Sequence, residues 1–314
     1  MKILVAGGAG FLGSHLCEFL LKKKHYVFCI DNLLTGKRQN ILELLNNKNF
    51  KFKKIDIIKK LNISEKFDAV INFASIASPI HYNTYKIKTL LVGSYGTYNL
   101  LEFAKKNNAK FLMASTSEVY GDALVTPQKE TYCGNVNPIG ARSMYTESKR
   151  FAEALIMNYH KVYGLDTKIV RIFNTYGPKM NVNDGRAIPQ FIYQALRNIP
   201  ITVFGKGTQT RSFCYVSDLI SGIYKLLLSK EHNPVNIGNP TELTINQIAK
   251  TIIKLTNSKS KIIYNPLPKD DPVRRRPDIS KAKKILKWEP KISLEEGLNK
   301  TILYFSKKIK QKYL

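Results

Sequence analysis

Short apolar runs alternate with helical patterns along the first 175 residues. Ile3–Ala6, Tyr26–Ile30, Phe50–Ile55, Ala69–Phe73, Lys110–Ala114 and Arg171–Phe173 are brief, and each carries β-branched or aromatic residues. Runs of this length and composition read as strands of a parallel sheet. Between them lie amphipathic stretches, such as the one with Leu12, Leu16, Phe19 and Leu20 and the longer Lys88–Lys106. Strand–helix alternation at this spacing predicts an α/β fold with a doubly wound parallel sheet. Ligands of such sheets bind at the carboxyl ends of the strands. That rule gathers Gly7–Gly13, Asp31, Phe73–Ser75 and Ser115–Glu118 around one crevice.

Beyond residue 175 the alternation breaks up. Ser212–Ser217 and Val235–Gly238 read as strands that rejoin the main sheet, with the helix Asp218–Leu228 between them. The expected division is discontinuous. Residues 1–175 plus 212–241 form the sheet domain, and 176–211 plus 242–314 a smaller domain that closes over its ligand crevice. The last helix, near Ser293–Ile309, is amphipathic with Lys outward and reads as packing. Apolar faces on the helices near 88–106 and 141–163 suit a two-fold homodimer.

The chain has 314 residues, 44% hydrophobic and 23% charged, as in an ordinary globular protein. Its formal charge of +27 brings nucleic acid into consideration. The Lys residues are spread along the whole chain, however, with no zinc knuckle, helix-turn-helix signature or basic tail. The expectation is therefore no nucleic-acid partner, and a positive field that draws in an anionic small molecule. No apolar run approaches the ~20 residues of a membrane helix. The N-terminus enters a strand directly, without a signal-peptide pattern. Cys17, Cys29, Cys133 and Cys214 have no metal spacing and read as thiols in a reducing cytosol. A cytoplasmic protein without a membrane or metal partner is expected.

Three features carry candidate chemistry. Gly7, Gly10 and Gly13 lie between the first strand and the first helix. That context permits a tight turn, close backbone approach to a pyrophosphate, and a helix N-terminus facing the phosphates. Asp31 ends the second strand, 18 residues after Gly13, where an acid holds the adenosine ribose hydroxyls. A carboxylate there repels a 2′-phosphate and favours NAD over NADP, which nearby Lys37 and Arg38 temper slightly. Asp56 ends the third strand, where an acid can contact adenine. Tyr145 and Lys149 stand four residues apart, on one face of a helix. A cation beside a phenol lowers its pKa from ~10 and makes it a base for a sugar hydroxyl.

These residues, with Thr35-Gly36, resemble the extended short-chain dehydrogenases of nucleotide sugars, on a Rossmann scaffold. Ser115-Thr116-Ser117-Glu118-Val119-Tyr120-Gly121-Asp122 narrows the likeness, as do Gly134–Gly140 and Arg171–Pro178. Gln209–Phe213, Asp270-Asp271-Pro272 and Arg275–Ile279 extend it over nearly the whole chain. Together the motifs are similar to the UDP-glucuronate decarboxylases. The resemblance implies oxidation at the sugar C4 by tightly bound NAD, loss of carbon dioxide from the resulting β-keto acid, and re-reduction to UDP-xylose, the NAD being recycled each turnover. On this reading Tyr145 is the base. Lys149 lowers its pKa and holds the nicotinamide ribose, and Thr116 or Ser117 bonds the C4 oxygen. Glu118 separates a decarboxylase from the 4-epimerases and 4,6-dehydratases of the same scaffold, which stay open as alternatives. So does a protein that binds a dinucleotide or RNA without catalysis. Arg275 is implied near the sugar carboxylate. Asn174, Arg186 and Arg211 are expected on the nucleotide, where planar guanidiniums suit a diphosphate. The expected cofactor shell also takes in Phe11, Leu12, Asn32, Ile57, Phe73, Ser75, Ala114 and Thr175.

The chain departs from the family pattern at a few places. Thr146 and Ser148 replace Asp and Gly between Tyr145 and Lys149. Leu91-Val92-Gly93 replaces Lys-Thr-Asn, Cys133 a Trp, and Asn72 and Ile76 a His and a Pro.

Overall fold

The structure is a computed structural model and describes residues 1–183, 185–266 and 274–311. Six strands of the first part are β1 (Lys2–Ala6), β2 (Tyr26–Asp31), β3 (Phe50–Lys54), β4 (Ala69–Asn72), β5 (Lys110–Thr116) and β6 (Thr167–Ile172). Later come β7 (Thr175–Tyr176), β8 (Ile201–Phe204), β9 (Thr210–Ser212), β10 (Cys214–Tyr215) and β11 (Val235–Ile237). The last are β12 (Glu242–Thr244), β13 (Ile262–Asn265) and β14 (Arg274–Arg275). Seven strands form the central sheet in the order β11-β6-β5-β4-β1-β2-β3. All of its pairings are parallel.

The inner strands β1, β2, β4 and β5 are buried on both faces, which is why they read as continuous apolar runs, whereas the edge strand β3 exposes Lys51, Lys53 and Lys54. Side chains alternate across a strand with a period of two. Ile3 and Val5 therefore join the core under α1 (Phe11–Lys22), while Leu4 and Ala6 join a second core on the other face. That second core is closed by α4 (Thr97–Asn107) and α5 (Ser143–Tyr163). Between α1 and α4 in chain order lie the short helices α2 (Pro79–Thr84) and α3 (Lys86–Leu91).

Two expectations need correction. The stretch 88–106 is not one α-helix. A π-helical segment, Val92–Gly96, separates α3 from α4. A Cβ on Gly93 would lie 2.5 Å from Ser148 Cβ, and one on Gly96 would lie 2.6 Å from Ile57 Cδ1. The segment passes too close to α5 and Ile57 for side chains, which the two glycines allow. Secondly, Ser212–Ser217 does not rejoin the main sheet. β9 lies between antiparallel β12 and parallel β14, and β10 pairs with β7. Only Val235–Ile237 joins the central sheet, beside β6.

The remaining helices are α6 (Ala187–Leu196), α7 (Val216–Leu228), α8 (Ile245–Thr256), α9 (Ser280–Leu286) and α10 (Leu294–Lys310). α8 starts on a capping box, in which Gln247 N donates to Thr244 Oγ1 and Thr244 N to Gln247 Oε1. Asp270-Asp271-Pro272 lies outside the described residues. Among the described residues, no helix is long and apolar enough to cross a membrane.

Candidate active site

The strand ends open into a cavity of about 650 Å³ with a side pocket of about 70 Å³. The two share Gly7, Gly10, Thr35, Phe73 and Ser75 in their walls. The side pocket holds Asp31, Asn32, Gly36, Asp56 and Ile57. The large one holds Phe11, Leu12, Gly13, Ala114, Thr116, Ser117, Glu118, Tyr145, Lys149, Asn174, Thr175, Arg186, Arg211 and Arg275. The residues singled out from sequence thus line one continuous space.

At one end the first turn of α1 is bare. Its N-cap is Gly10, with no side-chain cap and no acid in the first turn. The first backbone N–H groups and the positive end of the helix dipole are left for an anion. Gly7 has φ +76°, and a Cβ there would lie 2.6 Å from Ala74 N, so the turn requires glycine. A Cβ on Gly13 would lie 2.1 Å from Gly7 O. Asp31 is fixed by Ala9 N at 3.0 Å on Oδ2 and by Leu33 N at 2.8 Å on Oδ1. Burial raises its pKa and these two bonds oppose the rise. Gly36 leaves the carboxylate edge open, because a Cβ there would stand 2.8 Å from Oδ2. Asn32 Nδ2 donates to Asp56 Oδ2 at 3.1 Å, joining the ends of β2 and β3.

At the other end, α5 presents Tyr145 and Lys149 one turn apart. Lys149 Nζ donates to Ala114 O at 2.7 Å, at the mouth of β5. Thr116 is hydrogen-bonded to the Tyr145 phenol. Tyr82 of α2 stacks on the Tyr145 ring, with centroids 5.5 Å apart and planes 11° apart. The expected depression of the Tyr145 pKa by Lys149 is not found. Burial pushes the phenol up to about 12, against the pull of Thr116 and Arg186, and Glu118 adds to the rise. Burial also brings Lys149 down to about 8, against Glu153. The physical reason is desolvation of both groups together, with the Lys149 head turned onto a carbonyl.

Glu118 sits on the 3₁₀ turn Ser117–Tyr120, which continues β5, and its own N–H donates to the capping Thr116 Oγ1 at 3.2 Å. Its Oε1 pairs with Arg275 Nη1. Its Oε2 lies 3.5 Å from Arg142 Nη1. Burial opposes ionisation, but the Arg275 and Arg142 guanidiniums hold the Glu118 pKa below the usual carboxylate value. Arg275 is buried, and among the described residues its Nη2 has no hydrogen-bond partner. Arg211 lies beside it in the β9–β14 pairing and donates to Thr210 O at 2.9 Å. Arg186 Nη2 donates to Ala77 O at 3.3 Å.

Arg142, Tyr82, Tyr304 and Lys308 also line the cavity and escape the sequence reading. Arg142 stands three residues before Tyr145, a spacing that would have flagged it. Tyr82 has no local signal. Tyr304 and Lys308 belong to the helix read as packing alone.

The family model for GDP-mannose 4,6-dehydratase matches residues 4–301. UDP-glucuronic acid decarboxylase 1 of Danio rerio is 48% identical over 308 residues, 98% of this chain and 73% of that protein. UDP-glucuronic acid decarboxylase 3 of Arabidopsis thaliana is 48% identical over 299 residues, 95% of this chain and 87% of that protein. Among solved structures, the UDP-glucuronic acid 4-epimerase of Bacillus cereus, in complex with UDP-glucuronic acid and NAD, is 32% identical. It has a TM-score of 0.87 and covers 100% of both chains. The UDP-glucose 4-epimerase of Thermotoga maritima, with UDP-glucose, is 30% identical with a TM-score of 0.91, over 98% of this chain and 100% of that chain. The seven-stranded doubly wound sheet and nearly half-identical relatives along almost its full length place the chain in the family of UDP-glucuronic acid decarboxylases.

Proposed function

We propose that this protein converts UDP-glucuronate to UDP-xylose and carbon dioxide, as a carbon–carbon lyase with recycled NAD. The single observation that carries the reading is Glu118 held ionised between Arg275 and Arg142, beside the Tyr145–Thr116 pair, with a buried N–H₂ of Arg275 lacking an acceptor among the described residues. A hydroxyl base and a carboxylate receptor in one cavity fit a sugar acid.

The cradle fits the dinucleotide. The uncapped α1 terminus suits the pyrophosphate, and Asp31 with its open edge suits the adenosine ribose. Lys149 is the residue for the nicotinamide ribose. Bound NAD supplies the hydride acceptor that makes C4 a ketone and the donor that later reduces it.

Tyr145 takes the C4 hydroxyl proton and returns it at the end of the cycle. Thr116 and Tyr145 hold the C4 oxygen, into which the electron pair of the breaking C5–C6 bond flows as carbon dioxide leaves, and the enolate so formed takes a proton from water at C5 before C4 is reduced. Donors aimed at an oxygen where charge develops stabilise the transition state. Arg275 orients the departing carboxylate and Glu118 orients Arg275. Arg186 and Arg211 serve the diphosphate, and Asn174 the nucleotide. The segments 176–211 and 242–314 form the lobe that closes over the sugar nucleotide.

The working unit is a homodimer. Ile87, Tyr95 and Tyr98 on the α3–α4 stretch, with Phe151 and Val162 on α5, form two adjacent apolar stripes on the outer face. Large exposed apolar stripes of this kind suit an isologous interface.

Mass spectrometry of the sugar nucleotide after incubation with UDP-glucuronate tests the activity. Loss of carbon dioxide, with NAD still bound after desalting, is expected. An isobaric product points instead to a 4-epimerase, and no turnover sinks the reading. Tyr145→Phe lowers turnover by about 10²- to 10⁴-fold while the fold persists.

A further inference from the structure

Arg275 sits on β14, a two-residue edge strand with only two paired positions, Arg274↔Thr210 and Arg275↔Arg211. So short a ladder does little to fix a guanidinium. The residues just after it are held in another way. Gln128, 1% exposed, lies on the loop between the Glu118 turn and α5. Its N–H donates to Arg276 O at 2.9 Å, and its carbonyl accepts from Asp278 N at 2.9 Å. Its side-chain oxygen accepts from Arg276 N at 2.8 Å. Its side-chain NH₂ donates to Val125 O at 2.9 Å and Thr126 Oγ1 at 3.1 Å. Backbone and amide of one buried residue thus grip the chain immediately after Arg275.

The grip reaches the opposite wall. Asn236, fully buried on β11, donates to Gln128 O at 3.0 Å and Asp278 O at 3.1 Å. Its own side-chain oxygen accepts from Tyr120 OH at 2.7 Å. Tyr120 ends the turn that carries Glu118. One buried network therefore joins the strand bearing Arg275 to the turn bearing Glu118, and the two side chains meet in the cavity. Fully satisfied buried networks of this kind are rigid.

We infer that Gln128 is a positioning residue for the bond-breaking step, holding Arg275 in register with Glu118 without touching substrate. The inference rests on the decarboxylase reading above. Tyr145, Thr116 and Lys149 belong to β5 and α5 and are held by the central sheet. Oxidation at C4 therefore survives loss of the clamp, while carboxylate departure does not.

The test is Gln128→Ala, measured per NAD-bound site. UDP-xylose formation is followed alongside NADH absorbance on mixing with UDP-glucuronate. The expected result is turnover lowered by about 10- to 100-fold, as for a small misplacement at a reacting centre, with NADH building up on more sites than in the wild type. Gln128→Met, of similar length, replaces Gln128→Ala if that variant does not hold NAD. Glu130→Gln is the control, because Glu130 Oε1 accepts from Asn236 N at 2.9 Å and, among the described residues, makes no hydrogen bond to the strand that bears Arg275. It is expected to lower stability and leave the split between oxidation and decarboxylation unchanged. Wild-type turnover in the folded Gln128 variant, or equal losses of NADH and UDP-xylose, overturns the inference alone. A wild-type protein that makes no UDP-xylose overturns the decarboxylase reading and the inference with it.

Discussion

Tyr145 and Lys149 are tuned by burial more than by each other. The phenol stands at about 12, so its titration depends on the few groups that favour phenolate, Thr116 first among them. Replacing Thr116 by Val removes that hydrogen bond and raises the phenol pKa further. The limb of the pH–rate profile set by the base should move to higher pH. An unmoved limb would separate Thr116 from the base. Lys149 gives a stability prediction. Its folded pKa of about 8 lies below the ordinary lysine value of 10.5, so the folded protein resists its charge. The cost is full below about pH 8, shrinks as pH rises, and is gone above the unfolded value. Lys149→Met should therefore stabilise the cofactor-stripped protein at pH 7, by roughly 3 kcal/mol at most. Thermal unfolding at pH 7 and at pH 10 checks this, since the gain must diminish at the higher pH.

At the scale of elements, the π-helical segment Val92–Gly96 and α5 meet at one close contact. A Cβ on Gly93 would collide with Ser148 Cβ at 2.5 Å and Oγ at 2.7 Å. The resemblance implies Asn at 93 and Gly at 148, and on that pattern this chain carries the small residue on the other side of the same contact. The two departures form one exchange that keeps α5, and with it Tyr145, in place. Gly93→Ala should overpack the contact by about 1–3 kcal/mol, and Ser148→Gly in the same chain should recover most of that. Denaturant unfolding of the four proteins measures the coupling, and additive effects would contradict it. Ile76, another departure, packs with Tyr82, Met144 and Tyr145. It packs beside the Tyr82–Tyr145 stack. Cys133 is exposed, and only its carbonyl is engaged, by Arg150 Nη1 at 2.8 Å. Nothing in the structure explains the loss of a Trp there.

For the molecule as a whole, the prominent surface feature is the pair of apolar stripes on α3–α4 and α5. Tyr95 is 61% and Phe151 50% exposed. A charge placed in the middle of an isologous interface is repeated on both subunits and is desolvated twice. Tyr95→Glu and Phe151→Glu should each shift sedimentation from dimer to monomer. A wild-type protein that sediments as a monomer at micromolar concentration would refute the dimer.

The chain announces its central sheet, its glycine turn, Asp31 and the Tyr145–Lys149 pair through local patterns. Alternation along a strand, glycine spacing and a four-residue helical step are set by neighbours in sequence, and they survive into the fold unchanged. The placement of β9 and β10 outside the main sheet was not legible, because short strands with mixed residues pair with whatever edge the fold offers. Nor were Tyr82 against Tyr145, Arg142 against Glu118, or the Gly93–Ser148 exchange. Each joins side chains brought together by how the elements pack, and a signal on one partner, such as Tyr145 or Glu118, does not say which residue the fold sets against it. The direction of the Tyr145 pKa is the clearest case. The sequence by itself determined that a phenol and an ammonium lie one helical turn apart. Only the tertiary structure decided that both are stripped of water and that Lys149 turns onto the Ala114 carbonyl, so burial sets the direction of each pKa.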